Sequence, residues 1–311
     1  MKISVVEPLG IGKEQFETLR AEFETKGCEF EYYMDRNENP DTIAQRIGSA
    51  DIVVISNIHL SAETMNKCPN LKMLSVAFTG LDHIDLEYCQ NHNIEVFNAS
   101  GYSTIAVSEL AIGLMLDVYR KITEMDTTTR QLDTRGTFLG RELHGKIVGI
   151  IGTGAIGTQT IKLLKVFGCK ILAYSRSQRN EVKALDVEYV SLENLMTNAD
   201  IVSLHIPATK ETSKIINAKM LSLMKPSAII INTARGTVID NNALAQALIE
   251  GKIAGAGIDV YETEPPLPEN HPLLSAPNTI LLPHVAYATQ EAFDIRADIV
   301  MNNIRKWLSK Q

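Results

Sequence analysis

The chain has 311 residues, of which 45% are hydrophobic and 22% charged, a composition that excludes wholesale disorder and suits two domains of about 100–200 residues each. A formal charge of −7 argues against nucleic acid or an anionic membrane as partner, because both recruit dense Lys/Arg surfaces. Cys28, Cys68, Cys89 and Cys169 are scattered without a CxxC pair, which excludes a disulfide framework or zinc knuckle and fits a reducing compartment.

The N-terminal run MKISVVEPLG is too short in apolar residues for a signal-peptide core, and no stretch nears the ~18 apolar residues that span a bilayer. A cytoplasmic protein is expected. From the first residue, short Val/Ile-rich runs alternate with longer amphipathic segments, the pattern of βαβ units around a parallel sheet. Ile3–Glu7, Asp51–Ser56, Leu71–Ala77 and Ile94–Asn98 read as strands. Between the first two, Phe16, Leu19 and Phe23 recur at helical spacing.

A long helix follows, with Ser103 as its cap and Val107, Leu110, Ala111, Leu114, Met115 and Val118 as a continuous apolar stripe facing a core or a second subunit. A second strand series runs through Lys146–Ile151, Lys170–Tyr174, Ile201–His205, Ala228–Asn232, Ala254–Asp259 and Thr279–Leu282. Six such strands are what a dinucleotide-binding fold requires. Phe293, Ala297, Val300, Ile304 and Trp307 then mark a last helix, expected to return to the first domain.

The sequence Gly152-Thr-Gly154-Ala155-Ile156-Gly157 joins an apolar strand to a helical stretch. In that context Gly152 permits the tight turn, Gly154 lets the backbone approach a pyrophosphate, and Gly157 lets the helix pack on the strand. The next strand ends in Tyr174-Ser175-Arg176-Ser177. An NAD enzyme carries an acid there for the ribose 2′-OH; here Ser175 takes that place, and Arg176 suits a 2′-phosphate, which favours NADP(H) with NAD(H) as the alternative. The run Gly140–Lys146 begins like a P-loop, but Ile147 cannot ligate Mg²⁺ and the run precedes a strand instead of following one.

Three residues stand just beyond strand ends of the second series, where ligands of open α/β sheets bind: Arg235, Glu264 and His284. Reducing a 2-keto acid needs a proton donor for the forming alkoxide and a cation for the carboxylate and carbonyl. A histidine and an arginine fork supply these. A carboxylate against the imidazole would orient it and favour its protonated form. The seven histidines show no ligand spacing, so no metal is expected.

Several runs in order, among them SVAFTGLDHID (75–85), NASGYSTIAVSEL (98–110), INTARGTVID (231–240), GIDVYETEPP (257–266) and LLPHVAYAT (281–289), make the chain resemble the D-isomer-specific 2-hydroxyacid dehydrogenases nearly end to end. The resemblance implies an α/β fold of two doubly wound parallel-sheet domains with a cleft between them. A smaller flavodoxin-like substrate domain would span 1–98 plus 287–311, and a Rossmann NAD(P)-binding domain 99–286. It implies Arg235 as substrate-orienting group, His284 as acid/base and Glu264 as its partner. Asp259 would hold the nicotinamide carboxamide, and Thr104, Ala155, Ile156, Pro207, Thr212, Thr233, Ala234 and Ala286 would surround the cofactor.

Phe78, Thr79 and Gly80, in the loop Ala77–Leu81, match the family's substrate loop, where backbone N–H groups make an anion trap. A homodimer through 101–135 is implied as well. Because the chain stops soon after the last helix, the long effector-regulated phosphoglycerate dehydrogenases are disfavoured. The activity expected is hydroxypyruvate/glyoxylate reduction. The alternatives are a D-lactate-type dehydrogenase on bulkier keto acids and, in another class, a dinucleotide-sensing corepressor-like binding protein.

Overall fold

A computed structural model describes residues 1–311, which divide into two compact units: Met1–Ser103 with Ala288–Gln311, and Thr104–Tyr287. The first unit holds a five-stranded parallel sheet of β1 (Lys2–Val5), β2 (Glu29–Tyr32), β3 (Ile52–Ile55), β4 (Met73–Val76) and β5 (Glu95–Asn98) in the order β2-β1-β3-β4-β5, the flavodoxin-like arrangement. β3 and β4 are buried at every position, as expected of parallel strands covered on both faces.

No continuous apolar run marks β2 in the sequence. Its run Glu-Phe-Glu-Tyr lies at the sheet edge and buries only Phe30. Lys2 on the neighbouring strand pairs with Glu29 and Glu31 at 3.3 and 3.0 Å. The apolar side of helix Lys13–Thr25 packs through Phe16 and Phe23, both fully buried, which stack on Tyr32 and Phe30 with ring centroids 4.4 and 5.6 Å apart.

The last helix, Gln290–Leu308, also lies in this unit, its first turn capped by Thr289. Ser75 in β4 donates to the Val300 carbonyl at 3.1 Å, and the Trp307 indole donates to Glu95 at 2.6 Å. Arg296, on the same helix and buried, donates to Leu9 O at 2.6 Å and Ser56 Oγ at 3.3 Å. Nearby, the buried Glu7 carboxylate accepts the Ser56 and Ile58 amides and pairs with Arg36 at 2.9 Å. This polar layer ties together loops at the C-terminal ends of β1 and β3.

The second unit is a seven-stranded parallel sheet of β6 (Ile147–Ile151), β7 (Lys170–Tyr174), β8 (Val187–Tyr189), β9 (Ile201–Leu204), β10 (Ile229–Asn232), β11 (Gly255–Ile258) and β12 (Thr279–Leu281), ordered β12-β11-β10-β9-β6-β7-β8. That is the Rossmann order with one further strand. The strand beyond the six expected is β8, an edge strand of three residues with only Val187 buried.

The stripe on helix Thr104–Arg120 faces this unit's own core. Ala111, Leu114 and Met115 are at most 2% exposed, and burying each of the two larger side chains contributes about 1.5–3 kcal/mol. Two glycines let the helix approach the sheet: a Cβ on Gly257 would come within 3.0 Å of Leu114, and one on Gly255 within 2.8 Å of Val118. Lys121, left-handed at φ 48°, ends the helix before a second one, Ile122–Arg130. No helix in the protein is long and apolar enough to cross a membrane.

Candidate active site

The turn after β6 carries the glycine motif. Gly152 is left-handed at φ 97°, and a Cβ there would stand 2.4 Å from the His205 carbonyl. At Gly157 a Cβ would stand 2.0 Å from the Gly152 carbonyl, so the helix Ala155–Val166 can begin this close to the strand only without a side chain. Gly154 differs: an added Cβ would meet no atom within 4 Å. Its lack of a side chain therefore opens space beside the N-terminus of a twelve-residue helix, the place a pyrophosphate occupies in this fold. The residues present fit a dinucleotide.

Ser175 is half-buried and Arg176 exposed, in the loop that follows β7. Across from it the segment 207–212 is folded on itself, the Thr212 hydroxyl donating to Pro207 O at 2.7 Å and accepting from the Thr209 amide at 2.8 Å. The Thr209 hydroxyl holds the Glu211 carboxyl below its ordinary range, and Arg176 adds to that lowering. His205 bonds Ser203 through Nε2 at 3.0 Å, and desolvation brings its pKa down to about 4. It is therefore neutral near pH 7. Thr104 stands at the first turn of its helix, half-buried.

β10 ends in Asn232, whose side chain closes the turn that follows: its amide donates to Arg235 O at 2.9 Å and its oxygen accepts from the Ala234 amide at 3.0 Å. The Arg235 guanidinium donates to Ala234 O at 2.8 Å. Thr233 is buried with no partner for its hydroxyl. A Cβ at Gly236 would fall 1.8 Å from the Tyr261 carbonyl carbon, so the backbone beyond Arg235 lies directly against the segment that carries Glu264. The Tyr261 hydroxyl in turn donates to Leu282 O at 3.0 Å, just ahead of His284.

Three strand-end loops are thus brought together. Within them His284 Nδ1 lies 2.7 and 3.0 Å from the two Glu264 carboxylate oxygens. The His284 side chain is 12% exposed and that of Glu264 68%. With Nδ1 engaged by the carboxylate, proton exchange with a substrate falls to Nε2. His284 is left-handed at φ 57°, a strained conformation for a non-glycine residue of the kind found at functional sites. Asp259 maintains it. Its fully buried carboxylate accepts the Val285 and Ala286 amides at 2.8 and 2.9 Å, and burial pushes its carboxyl pKa up. Tyr287 meets the His284 ring edge-on at 5.4 Å.

Asn232 and Tyr261 brace the site but carried no role in the sequence reading. The signal for Asn232 was a lone amide closing the apolar run Ile229–Asn232, since a buried amide needs partners. Among the first unit's residues, Phe78 is 8% exposed, edge-on to His83 at 6.3 Å and tilted against Tyr102. Thr79 is exposed and its carbonyl accepts from Asn98 at 2.8 Å, while Gly80 is half-buried.

A family model described as the NAD binding domain of D-isomer specific 2-hydroxyacid dehydrogenase matches residues 112–286. A glyoxylate reductase from Thermofilum pendens is 44% identical over 252 residues, covering 79% of this chain and 74% of that protein. Among solved structures, an acyclic imino acid reductase in complex with NADPH and D-Arg superposes with a TM-score of 0.88 at 30% identity, covering 100% of this chain and 98% of that one. The D-lactate dehydrogenase of Aquifex aeolicus, complexed with NAD and lactic acid, gives 0.85 at 29%, covering 100% and 96%. The fold, the nicotinamide-cofactor domain and these similarities make the protein an oxidoreductase that belongs to the D-isomer specific 2-hydroxyacid dehydrogenase family.

Proposed function

We propose that the protein reduces a small 2-keto acid, glyoxylate or hydroxypyruvate, to the D-2-hydroxy acid, with Arg235, His284 and Glu264 as its catalytic groups. The observation that carries this reading is the His284–Glu264 pair at 2.7 Å, the His284 loop being held by Asp259 and the segment that leads to Glu264 lying against the turn of Arg235. His284 Nε2 gives its proton to the oxygen that becomes the hydroxyl. Glu264 holds the ring in the orientation this requires. The Arg235 fork receives the substrate carboxylate and polarises the carbonyl, as a planar bidentate cation does well. A bound nicotinamide cofactor supplies the hydride.

NADPH is the preferred cofactor in this reading. No acid stands at Ser175, and the exposed Arg176 offers a guanidinium to a 2′-phosphate. Gly152, Gly154, Ala155, Ile156 and Gly157 take the pyrophosphate. Pro207, Thr212, Thr233, Ala234, Thr104 and Ala286 line the rest. The first unit serves as substrate domain, where Phe78, Thr79 and Gly80 receive the acid, and the second as cofactor domain. Exposed Ile105, Ile122, Leu132 and Leu139, 53%, 54%, 95% and 81% accessible, give a homodimer apolar surface to cover.

The small substrate follows from the glyoxylate reductases among its relatives. The test is a set of initial rates at 340 nm with NADPH and NADH against glyoxylate, hydroxypyruvate, pyruvate and a branched 2-keto acid. The two small acids with NADPH should give the highest kcat/KM, and a preference for the branched acid would instead assign a D-lactate-type pocket.

A further inference from the structure

Tyr189, the last residue of the edge strand β8, was assigned no role above, yet its hydroxyl joins two segments of the cofactor region. It donates to Thr153 Oγ1 at 2.9 Å and accepts the Arg179 amide at 3.2 Å. Thr153 is the second residue of the glycine motif and is 1% exposed. Arg179 closes the loop that begins with Ser175 and Arg176. The ring itself is half-buried against the core beneath β7, and β8 is held to β7 at Ala173↔Tyr189. The Arg179 side chain is turned to Glu181 at 3.2 Å, so what this residue gives the loop's inner side is its backbone amide.

We propose that Tyr189 is a positioning residue for cofactor choice. Its hydroxyl fixes the backbone of the loop 175–179 against the glycine turn and so sets where Ser175 and Arg176 meet the cofactor. The inference rests on the reading of Arg176 as a 2′-phosphate group. A hydroxyl can donate once and accept twice, and the two bonds use it to link the buried Thr153 of the glycine turn to an exposed loop. Without the bond the ring still fills its place, but the loop must be ordered when ligand arrives. Ordering a segment on binding weakens affinity. NADPH and NADH share the pyrophosphate and differ at the 2′ position, so the loss falls mainly on NADPH.

The test is the dissociation constants of NADPH and NADH, measured by nicotinamide fluorescence without keto acid, for the wild-type chain, Tyr189→Phe, Thr153→Val and Arg176→Ala. Tyr189→Phe removes both bonds and should raise the NADPH constant about three- to tenfold, within what hydrogen bonds contribute, and the NADH constant by clearly less. Thr153→Val breaks the link at the glycine turn alone, leaving the Arg179 amide on Tyr189, and should move the ratio in the same direction even if one variant folds poorly. An unaltered NADPH/NADH ratio in both overturns the proposal. If both shift the ratio while Arg176→Ala does not, Tyr189 keeps its role and the phosphate reading of Arg176 fails; the reverse pattern removes Tyr189 and keeps Arg176.

Discussion

The Glu264 carboxylate stands 2.7 Å from His284 Nδ1 although the two residues are 20 apart in sequence. The pairing depends on Tyr261, whose hydroxyl reaches Leu282 O, and on Asp259, which holds the amides after the histidine. Replacing Glu264 by Gln keeps a side chain of the same shape and removes its charge. We expect kcat for keto-acid reduction to fall about 10- to 100-fold, within the range of a general-acid contribution, with the cofactor dissociation constant unchanged. Steady-state kinetics beside a cofactor titration check this, and an unaffected kcat removes Glu264 from the chemistry.

The glycine loop gives a paired prediction. A methyl at Gly154 meets no protein atom within 4 Å, whereas one at Gly157 meets the Gly152 carbonyl at 2.0 Å. Gly154→Ala should therefore keep its melting temperature within a few degrees and lose cofactor affinity, because the methyl fills space a pyrophosphate needs. Gly157→Ala should lose stability by about 1–3 kcal/mol, the cost of overpacking. Thermal melts with and without NADPH separate the two, and equal behaviour would contradict the assigned roles.

Acid stability tests the seating of the last helix. Arg305 bonds Glu22 at 2.5 and 2.8 Å and holds its carboxyl at about 2, below the ordinary 4.5. A depressed carboxylate stabilises the fold above its unfolded pKa, and that stability is lost as pH falls from 4.5 through about 2. Both side chains are nearly a third exposed, so solvent screening leaves about 1–2 kcal/mol. Glu22→Gln should be less stable by that amount at pH 7 and match the wild type near pH 2. Urea unfolding at the two pH values measures it, and a constant difference across them would rule out the ion pair as cause.

Much of this architecture was legible because parallel strands buried on both faces spell continuous apolar runs. Ile52–Ile55 and Ile229–Asn232 are of that kind. Two edge strands lack such a run: Glu29–Tyr32 alternates acids with aromatics and Val187–Tyr189 is three residues long, each burying one residue, whereas the edges Glu95–Asn98 and Thr279–Leu281 are legible from their apolar residues. The positions of Arg235, Glu264 and His284 were visible because each follows an apolar run, Ile229–Asn232, Gly255–Ile258 and Thr279–Leu281 in turn. Their braces were not, since Asn232 and Tyr261 act through backbone atoms or through residues distant in sequence, and a hydrogen bond of that sort leaves no spacing to read. The destination of the apolar stripe on Thr104–Arg120 was open for a related reason. It was decided by Gly255 and Gly257 on another element.

The most direct test of the central claim is a single-turnover measurement of 340 nm absorbance loss with NADPH and hydroxypyruvate, run on the wild type and on His284→Ala with cofactor binding confirmed in the same samples. The wild type should turn over, and the variant should bind NADPH equally well while its rate falls about 10²- to 10⁴-fold, the contribution of a positioned acid. A variant as fast as the wild type would remove His284 from the reaction, and a wild type that binds NADPH yet reduces no 2-keto acid would contradict the assignment of a reductase.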